Sequence, residues 1–291
     1  IEIVGHAAPT IAHAEAAARR WGGRAYSSYT ELLRHEPVEA AWICVPPAAH
    51  GPIEHDLIAL GIPFFVEKPL AVDRRTAEAI ADALARSGVI AGVGYQWRAL
   101  DTLPEVRRVL ADNPPRMVLG AWHDATPPPR WWRHQAESGG QMLEQATHLL
   151  DLARTLVGEA QVVAATAQRH DRLQFPDADV ADVSSALLRF DLGQLGSATG
   201  VFTATCLLGG PAAIQLQLVC EGLLISIRRE RVLYDTGREC REVRAATNPA
   251  IPIVRSFLGA VREQNPSLLT CSYADALRTH RLCCDIRDAS A

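Results

Sequence analysis

Lys68 is the only lysine of the chain, and it lies between Glu67 and Pro69. The other basic side chains, histidines apart, are all arginine. Arginine is a planar fork that stays protonated, whereas lysine is a compact amine whose charge can be desolvated and titrated. A coding bias towards arginine would leave a stray lysine anywhere. The position of Lys68 in the fold therefore decides between chance and a site that needs an amine.

A second set of reactive side chains follows helical spacing. Glu144, His148 and Asp151 lie within 138–158, which is predicted to be one helix, and their spacing places them on one face. A carboxylate one turn from an imidazole can fix its tautomer and raise its basicity, which suits general acid–base chemistry near neutral pH. The alternatives are an ion-paired helix face at an interface, or a metal site for a lyase, although no further His or Cys cluster supplies the remaining ligands.

Before this helix, a proline-rich loop (123–137) carries Trp131, Trp132 and Arg133. Adjacent indole rings followed by a guanidinium can stack on a sugar or a cofactor ring and hydrogen-bond to it. The alternative is that the two tryptophans cover a seam between domains.

The first third of the chain alternates strand and helix patterns. Near-continuous apolar strands separated by helices indicate a parallel, doubly wound sheet. Ligands of such sheets bind at the carboxyl ends of the strands, where Lys68 and the Val45-Pro46 turn lie. The predicted strands are 1–7, 38–47, 62–68 and 89–97, and the predicted helices are 10–22, 50–61 and 73–88.

One part of a dinucleotide-binding fold is missing from this pattern. No G-x-G-x-x-G turn joins a strand to a helix. If 1–7 is the second strand, the first strand and its helix precede Ile1, which corresponds to roughly 25–30 residues, one strand–helix unit. Without that strand the sheet would have a gap in its middle. The alternative is a degenerate protein that binds no dinucleotide.

The remainder favours a second domain built on a large, mostly antiparallel sheet. We expect domains at 1–97 and 98–272, followed by a closing helix within 273–291. Broad strands with few charges on one face often dimerise, so a homodimer or homotetramer through this sheet is expected. The predicted strands are 116–124, 160–170, 182–190, 195–205 and 213–227.

Composition excludes several classes of protein. The 291 residues carry a net charge of −4, and no basic run indicates nucleic-acid binding. No apolar stretch approaches membrane-spanning length. The seven cysteines form no C-x-x-C pair, which is typical of reduced thiols in a cytoplasm.

Taken in order, three stretches resemble the glucose–fructose oxidoreductase/inositol dehydrogenase (Gfo/Idh/MocA) family. They are "AAWICVPPAAHGPIEHDLIALGIPFFVEKPLA", "VGYQWR" and "GGQMLEQATHLLDLARTLVG". The resemblance covers nearly the whole chain. It implies a Rossmann domain plus an α/β domain with an open sheet, acting with NAD(P) on sugars, cyclic polyols or related compounds.

The same resemblance implies residue roles. Lys68 would contact the substrate hydroxyl and the nicotinamide ribose, and His148 would be the general acid–base. Glu144 stands where the family usually has an aspartate, and the bond between Lys68 and Pro69 would be cis. The expected cofactor contacts come from Ala8, Val45, Pro46, His50, Glu67, Lys68 and Gln96. The expected substrate contacts come from Tyr95, Trp131, Trp132, Arg133 and Asp151.

The choice of cofactor rests on the end of the 1–7 strand. NAD-preferring members usually place a carboxylate there, on the ribose 2′-hydroxyl. This chain has Ala7-Ala8-Pro9-Thr10, so nothing repels a 2′-phosphate and NADP is slightly favoured over NAD. The leading hypothesis is an NAD(P)-dependent sugar or polyol oxidoreductase. The rival hypothesis is a catalytically silent, ligand-sensing relative of the same fold.

Overall fold

The computed structural model describes residues 1–290, and its first part is a parallel α/β unit. Two strands pair in one small sheet and three pair in a second, all in parallel. The strands are β1 (Gly5–Ala7), β2 (Arg24–Tyr26), β3 (Ala41–Ile43), β4 (Phe64–Val66) and β5 (Ala91–Val93). The helices between them are α1 (Ile11–Trp21), α2 (Tyr29–His35), α3 (Pro52–Ala59) and α4 (Arg74–Ser87).

Local sequence signals explain much of this unit. The Asp73 side chain accepts a hydrogen bond from the Thr76 N–H at 2.9 Å and caps α4, which ends on Gly88 at a φ of 72°. β4 is buried along its whole length because helices cover both faces of the sheet. β2 and α2 were not predicted. No pairing joins β1 to β3 within residues 1–290, and the strand expected before Ile1 stays a prediction.

The second unit is an eight-stranded sheet in the order β13-β12-β11-β10-β6-β9-β8-β7. Only β6 and β9 run parallel, so the expectation of a large, mostly antiparallel sheet is confirmed. The single strand predicted at 213–227 is wrong, since Glu221-Gly222 turn the chain between two strands. The strands are β6 (Met117–His123), β7 (Ala160–Gln168), β8 (Val183–Asp191), β9 (Ser197–Thr205), β10 (Ala213–Cys220), β11 (Leu223–Ile227), β12 (Arg231–Asp235) and β13 (Cys240–Arg244).

Helices cover one face of the large sheet. α5 (Leu103–Asp112) packs there with helices from the 135–157 region and from the end of the chain. The single helix predicted at 138–158 is wrong, because the structure has α6 (Gln135–Ser138), α7 (Gln141–Glu144) and α8 (Thr147–Val157). Gly139 and Gly140, at φ 75° and 83°, separate the first two helices. A second break separates α7 from α8.

The last two helices tie the two units together. α9 (Ala250–Arg262) was not predicted, and although it lies within 98–272 it packs on the first unit. There the Phe257 ring lies edge-on to Trp42, 5.1 Å between centroids, and also contacts Phe65. α10 (Tyr273–Ala289) packs against α4, α8 and β7 and therefore bridges both units. Among residues 1–290 we find no helix with the length and apolarity needed to cross a bilayer.

Candidate active site

A pocket of about 310 Å³ lies where the first unit meets the second. Lys68 enters it from the carboxyl end of β4, two residues after the strand ends. The bond between Lys68 and Pro69 is cis, as the resemblance implied. The opposite wall comes from the β6–α6 loop and from the α7–α8 region. The lining residues are Lys68, Trp122, Pro127, Pro129, Trp131, Trp132, Glu144, Gln145 and His148.

The amine of Lys68 is held by Glu144. Its Nζ donates to Glu144 Oε1 at 2.5 Å and to the backbone carbonyl oxygen of Glu144, also at 2.5 Å. The other carboxylate oxygen, Oε2, accepts a hydrogen bond from the Trp132 indole at 2.8 Å. Both side chains of the ion pair are mostly buried, with 13% and 15% of their surface exposed. Little solvent screens this pair.

The predicted pairing of Glu144 with His148 is wrong. In a continuous helix the His148 N–H would bond to the Glu144 carbonyl, and the two side chains would share a face. Here the His148 N–H bonds to the Gln145 carbonyl at 3.3 Å, and Ala146 N–H bonds to Gln141 at 3.0 Å. The helix is therefore interrupted, and the Glu144 carboxylate is taken by Lys68 and Trp132.

His148 sits among aromatic rings. Its imidazole stacks on Trp122 with centroids 5.8 Å apart and lies edge-on to Tyr95 at 6.1 Å. Burial, followed by the charges of Lys68 and Arg229, holds the pKa of His148 well below the usual 6.5. The imidazole is therefore neutral near pH 7. Its Nδ1 is buried without a hydrogen-bond partner among the described residues, and the residue lines the pocket.

Asp151 lies away from the pocket. Both of its oxygens bind the Arg98 guanidinium, at 2.5 and 2.7 Å, and Oδ1 also accepts from Thr279 at 2.6 Å. Arg98 further pairs with Asp275 of α10. We therefore assign Asp151 a structural role rather than the expected substrate contact. Glu144, His148 and Asp151 do not converge, and residues 1–290 contain no group of three or more His, Cys, Asp or Glu side chains arranged around a metal position.

The expected cofactor residues lie along the carboxyl edge of the parallel strands. Ala8 follows β1, Val45 and Pro46 follow β3, and Gln96 follows β5. His50 is different, because it is buried with Nδ1 at 2.6 Å from Glu54 Oε1. The list of edge residues is completed by Glu67 and Lys68, which follow β4.

Glu67 is the edge residue best suited to a ligand. Among residues 1–290 no side chain donates a hydrogen bond to its carboxylate, although it is half-buried. Burial raises its pKa, and the Lys68 charge opposes that rise. A Cβ on Gly94 would lie 2.7 Å from Glu67 Oε2. The absence of a side chain at Gly94 therefore makes room for this carboxylate. A half-buried carboxylate without a side-chain donor fits the ribose hydroxyls of a nicotinamide cofactor.

The tryptophan loop divides its roles. Trp131 and Trp132 both line the pocket, and Trp132 is almost fully buried against Val180 and Cys206 of the second unit. The expected substrate contacts of both tryptophans stay predictions. Arg133 pairs with Asp177 at 3.1 Å and lies over the Phe175 ring, so its charge is already engaged. Its contact with substrate stays a prediction.

Besides Pro127 and Pro129 of the proline-rich loop, three residues at the site were missed. Trp122 lies on β6, where successive side chains point to opposite faces of the sheet. The sequence alone did not show which face the helices cover, and so did not show that Trp122 faces the pocket. Gln145 belongs to the helix break, which had no local signal. Arg229 lies at the β11–β12 turn, 3.5 Å from the Gln96 side chain, and only the folding of the large sheet brings it there.

A Rossmann-type unit joined to a large open sheet, with an amine and an imidazole at the junction, defines a two-domain protein of the α/β class. A family model described as "Oxidoreductase family, NAD-binding Rossmann fold" matches residues 1–95. A second, described as "GFO/IDH/MocA C-terminal domain", matches residues 114–221. Together they span more than half of the chain. The chain belongs to the Gfo/Idh/MocA oxidoreductase family, which confirms the resemblance.

Individual relatives agree with this assignment. A myo-inositol dehydrogenase of Streptomyces leeuwenhoekii is 32% identical over 166 residues, which are 54% of this chain and 49% of that protein. The match thus spans about half the length of that relative. The 3-ketoreductase KijD10 of Actinomadura kijaniata, solved with NADP and TDP-benzene, superposes with a TM-score of 0.86 at 18% identity, covering 99% of this chain and 90% of that chain.

A levoglucosan dehydrogenase solved with NADH and levoglucosan superposes with a TM-score of 0.83 at 21% identity, covering 98% of this chain and 86% of that chain. At these identities the two solved structures establish the fold alone. The predicted fold class, a Rossmann-type sheet plus a second α/β domain with an open sheet, is confirmed.

Proposed function

We propose that the protein is an NAD(P)-dependent oxidoreductase that moves a hydride between a nicotinamide and a secondary alcohol or ketone carbon of a sugar, cyclic polyol or related compound. One observation carries the proposal. The Lys68 amine and the neutral His148 imidazole line one pocket at the carboxyl end of the parallel strands. The names of the relatives, which include dehydrogenases of inositol and levoglucosan, support this substrate class.

Each side chain has a separate task. The Lys68 ammonium donates a hydrogen bond to the substrate oxygen and favours its alkoxide form. The neutral imidazole of His148 accepts the hydroxyl proton when the alcohol is oxidised and returns it when the ketone is reduced. A bound nicotinamide supplies the hydride acceptor or donor. Glu144 holds the ammonium in place.

The walls of the pocket suit a ring with one apolar face. Trp122, Trp131, Pro127 and Pro129 present flat, apolar surface. Gln145 adds a polar group whose Oε1 is buried without a partner among the described residues. Such a combination is typical of sites that orient a small polar ring by stacking and a few hydrogen bonds.

For the cofactor, we favour NADP slightly. No carboxylate follows β1, where Ala8 and Pro9 stand, so the site offers no repulsion to a 2′-phosphate. Glu67 accepts from the nicotinamide-side ribose in this proposal. We also propose a homodimer or homotetramer through the uncovered face of the eight-stranded sheet, in a cytoplasmic protein.

The test is titration of the full-length protein with NADPH and with NADH, following nicotinamide fluorescence, for the wild type and for Lys68→Ala. A panel of sugars and polyols then follows as substrates. Binding with turnover that falls by about 10²-fold or more in Lys68→Ala supports the proposal. Binding without turnover on any polyol favours the ligand-sensing alternative. If neither cofactor binds, the proposal is wrong.

A further inference from the structure

We propose that Trp132 is a positioning residue that holds the Glu144 carboxylate on Lys68. The inference rests on the proposed function and deepens it, because it names what holds the amine of that site. Trp132 touches neither the amine nor the imidazole through a hydrogen bond. It acts through Glu144.

The two oxygens of Glu144 have different donors. Trp132 Nε1–H donates to Oε2 at 2.8 Å, and Lys68 Nζ donates to Oε1 at 2.5 Å. A carboxylate is planar, so donors on both oxygens fix its position and its rotation. Charge-assisted hydrogen bonds of this kind are the stronger ones in proteins. With either donor removed, the remaining one leaves the carboxylate free to swing.

The indole is a fixed anchor. Its ring is only 1% exposed and packs against Val180 and Cys206. The backbone after it is held from the β7–β8 connection, since the Arg133 carbonyl accepts from the Asp179 N–H at 3.0 Å. A buried side chain on a clamped backbone has few alternative rotamers. Trp132 therefore transmits the position of the loop to Glu144.

Reach explains why an anchor is needed. Glu144 has a flexible side chain, and it sits at the end of α7, directly before the helix break. An unanchored carboxylate beside a break is free to turn away from the amine. Turned away from Lys68, it would leave the amine without the carboxylate that holds it in the pocket. The indole bond holds the negative charge on the amine side of the pocket.

The single lysine makes a direct test possible. A short exposure to an N-hydroxysuccinimide acetate ester modifies the amine of Lys68, and mass spectrometry reads its rate against the N-terminal amine of the same chain. An amine held by two acceptors reacts slowly. We expect Trp132→Phe to raise the Lys68 rate by about threefold to tenfold, because one hydrogen bond that fixes its partner is lost. Trp21→Phe, the same substitution at an exposed position at the end of α1, is the matched control and leaves the rate unchanged.

A double-mutant cycle separates anchoring from access. Glu144→Gln raises the rate as well, and adding Trp132→Phe to it produces no further rise if Trp132 acts through Glu144. A rise of the same factor in both backgrounds means that the smaller ring merely admits reagent, and overturns the proposal. A wild-type rate of Lys68 acetylation in Trp132→Phe overturns the proposal as well.

Folding is checked by the Tm of each variant. If Trp132→Phe does not fold, Glu144→Asp decides the matter with the indole intact, because the shorter side chain cannot reach both donors. Its Lys68 rate rises if the bridge is real, and a wild-type rate overturns the proposal. No substrate or cofactor enters these measurements. A failure of the positioning role is therefore distinct from a failure of the proposed oxidoreductase activity.

Discussion

Lys68 Nζ lies 2.5 Å from a carboxylate oxygen of Glu144 and 2.5 Å from the backbone carbonyl oxygen of the same residue. That carbonyl would accept the His148 N–H if α7 and α8 were one helix. The Lys68 ammonium donates to this carbonyl in place of the His148 N–H, and thereby caps α7 from the other domain. Lys68 thus holds the Glu144 carboxylate. It also occupies the carbonyl that a continuous helix would use for the His148 N–H.

The first prediction concerns the pH dependence of activity. The reactive form of His148 is neutral, and burial together with the Lys68 and Arg229 charges lowers its pKa. The rate of alcohol oxidation is therefore constant around neutral pH, and it is lost only as the pH falls through that lowered pKa. Arg229→Gln removes one cation that disfavours imidazolium, so the acid limb of kcat/KM moves to higher pH. Arg231→Gln, whose guanidinium pairs with Glu242, leaves the limb in place.

The second prediction separates a structural role from a substrate role for Asp151. Asp151→Asn leaves the buried Arg98 guanidinium without its main partner, and this costs about 3–5 kcal/mol of the free energy of unfolding. Urea unfolding measures the loss. Glu242→Gln, at the more exposed pair with Arg231, costs about 0–1 kcal/mol. A large rise in KM for Asp151→Asn without loss of stability would contradict this assignment.

The third prediction is a stability that falls in mild acid. Burial lowers the pKa of His280 from 6.5 to about 4, so the unfolded chain binds a proton more readily than the folded one. Stability from this group is complete above about pH 6.5 and falls as the pH drops towards 4. Between pH 7 and pH 5 the loss is about 2 kcal/mol. In His280→Gln this slope is reduced, whereas His13→Gln, at an exposed position, keeps it; an unchanged slope in the former contradicts the prediction.

The fourth prediction tests Glu67 as the acceptor for the cofactor ribose. In Gly94→Ala the new Cβ would meet Glu67 Oε2 at 2.7 Å, and the flexible end of the glutamate side chain must move. The fold tolerates this movement, but the ribose acceptor is displaced. We expect the Kd for the nicotinamide cofactor to rise roughly tenfold, equivalent to about 1.4 kcal/mol. Gly209→Ala, where a Cβ meets nothing within 4 Å, binds as the wild type does. An unchanged Kd in Gly94→Ala would remove Glu67 from the proposed contacts.

The fifth prediction concerns assembly. On the uncovered face of the large sheet, Leu187 and Val201 are paired neighbours, 38% and 37% exposed, and Met117 is 42% exposed nearby. Leu187→Glu places a charge within this face, which an interface would have to bury. Light scattering after size-exclusion chromatography should show a smaller species than the wild type. Leu195→Glu, in a turn off this face, keeps the wild-type size; a monomeric wild type would contradict the proposed oligomer.

Local sequence information was sufficient for the outline of the protein. Apolar runs with helix stop signals such as Gly88 predicted the alternation of strands and helices, because burial and backbone conformation are decided over a few residues. The position of Lys68 at a strand end followed from the same pattern. The family motifs were readable because each is a short stretch with fixed spacing. β2, the stretch RAY between Gly23 and Ser27, was missed because it has no apolar run.

The partners of the charged side chains were decided by tertiary structure alone. The spacing of Glu144 and His148 predicts a shared helix face, but a lysine 76 residues away in the chain holds the Glu144 carbonyl where the helix breaks. Asp151 found Arg98, 53 residues away. Helical periodicity describes neighbours along one element, whereas a buried charge takes whichever partner the packing of two domains brings within hydrogen-bonding distance. The sequence therefore determined which groups are available for chemistry, and the packing of the domains determined which of them act together.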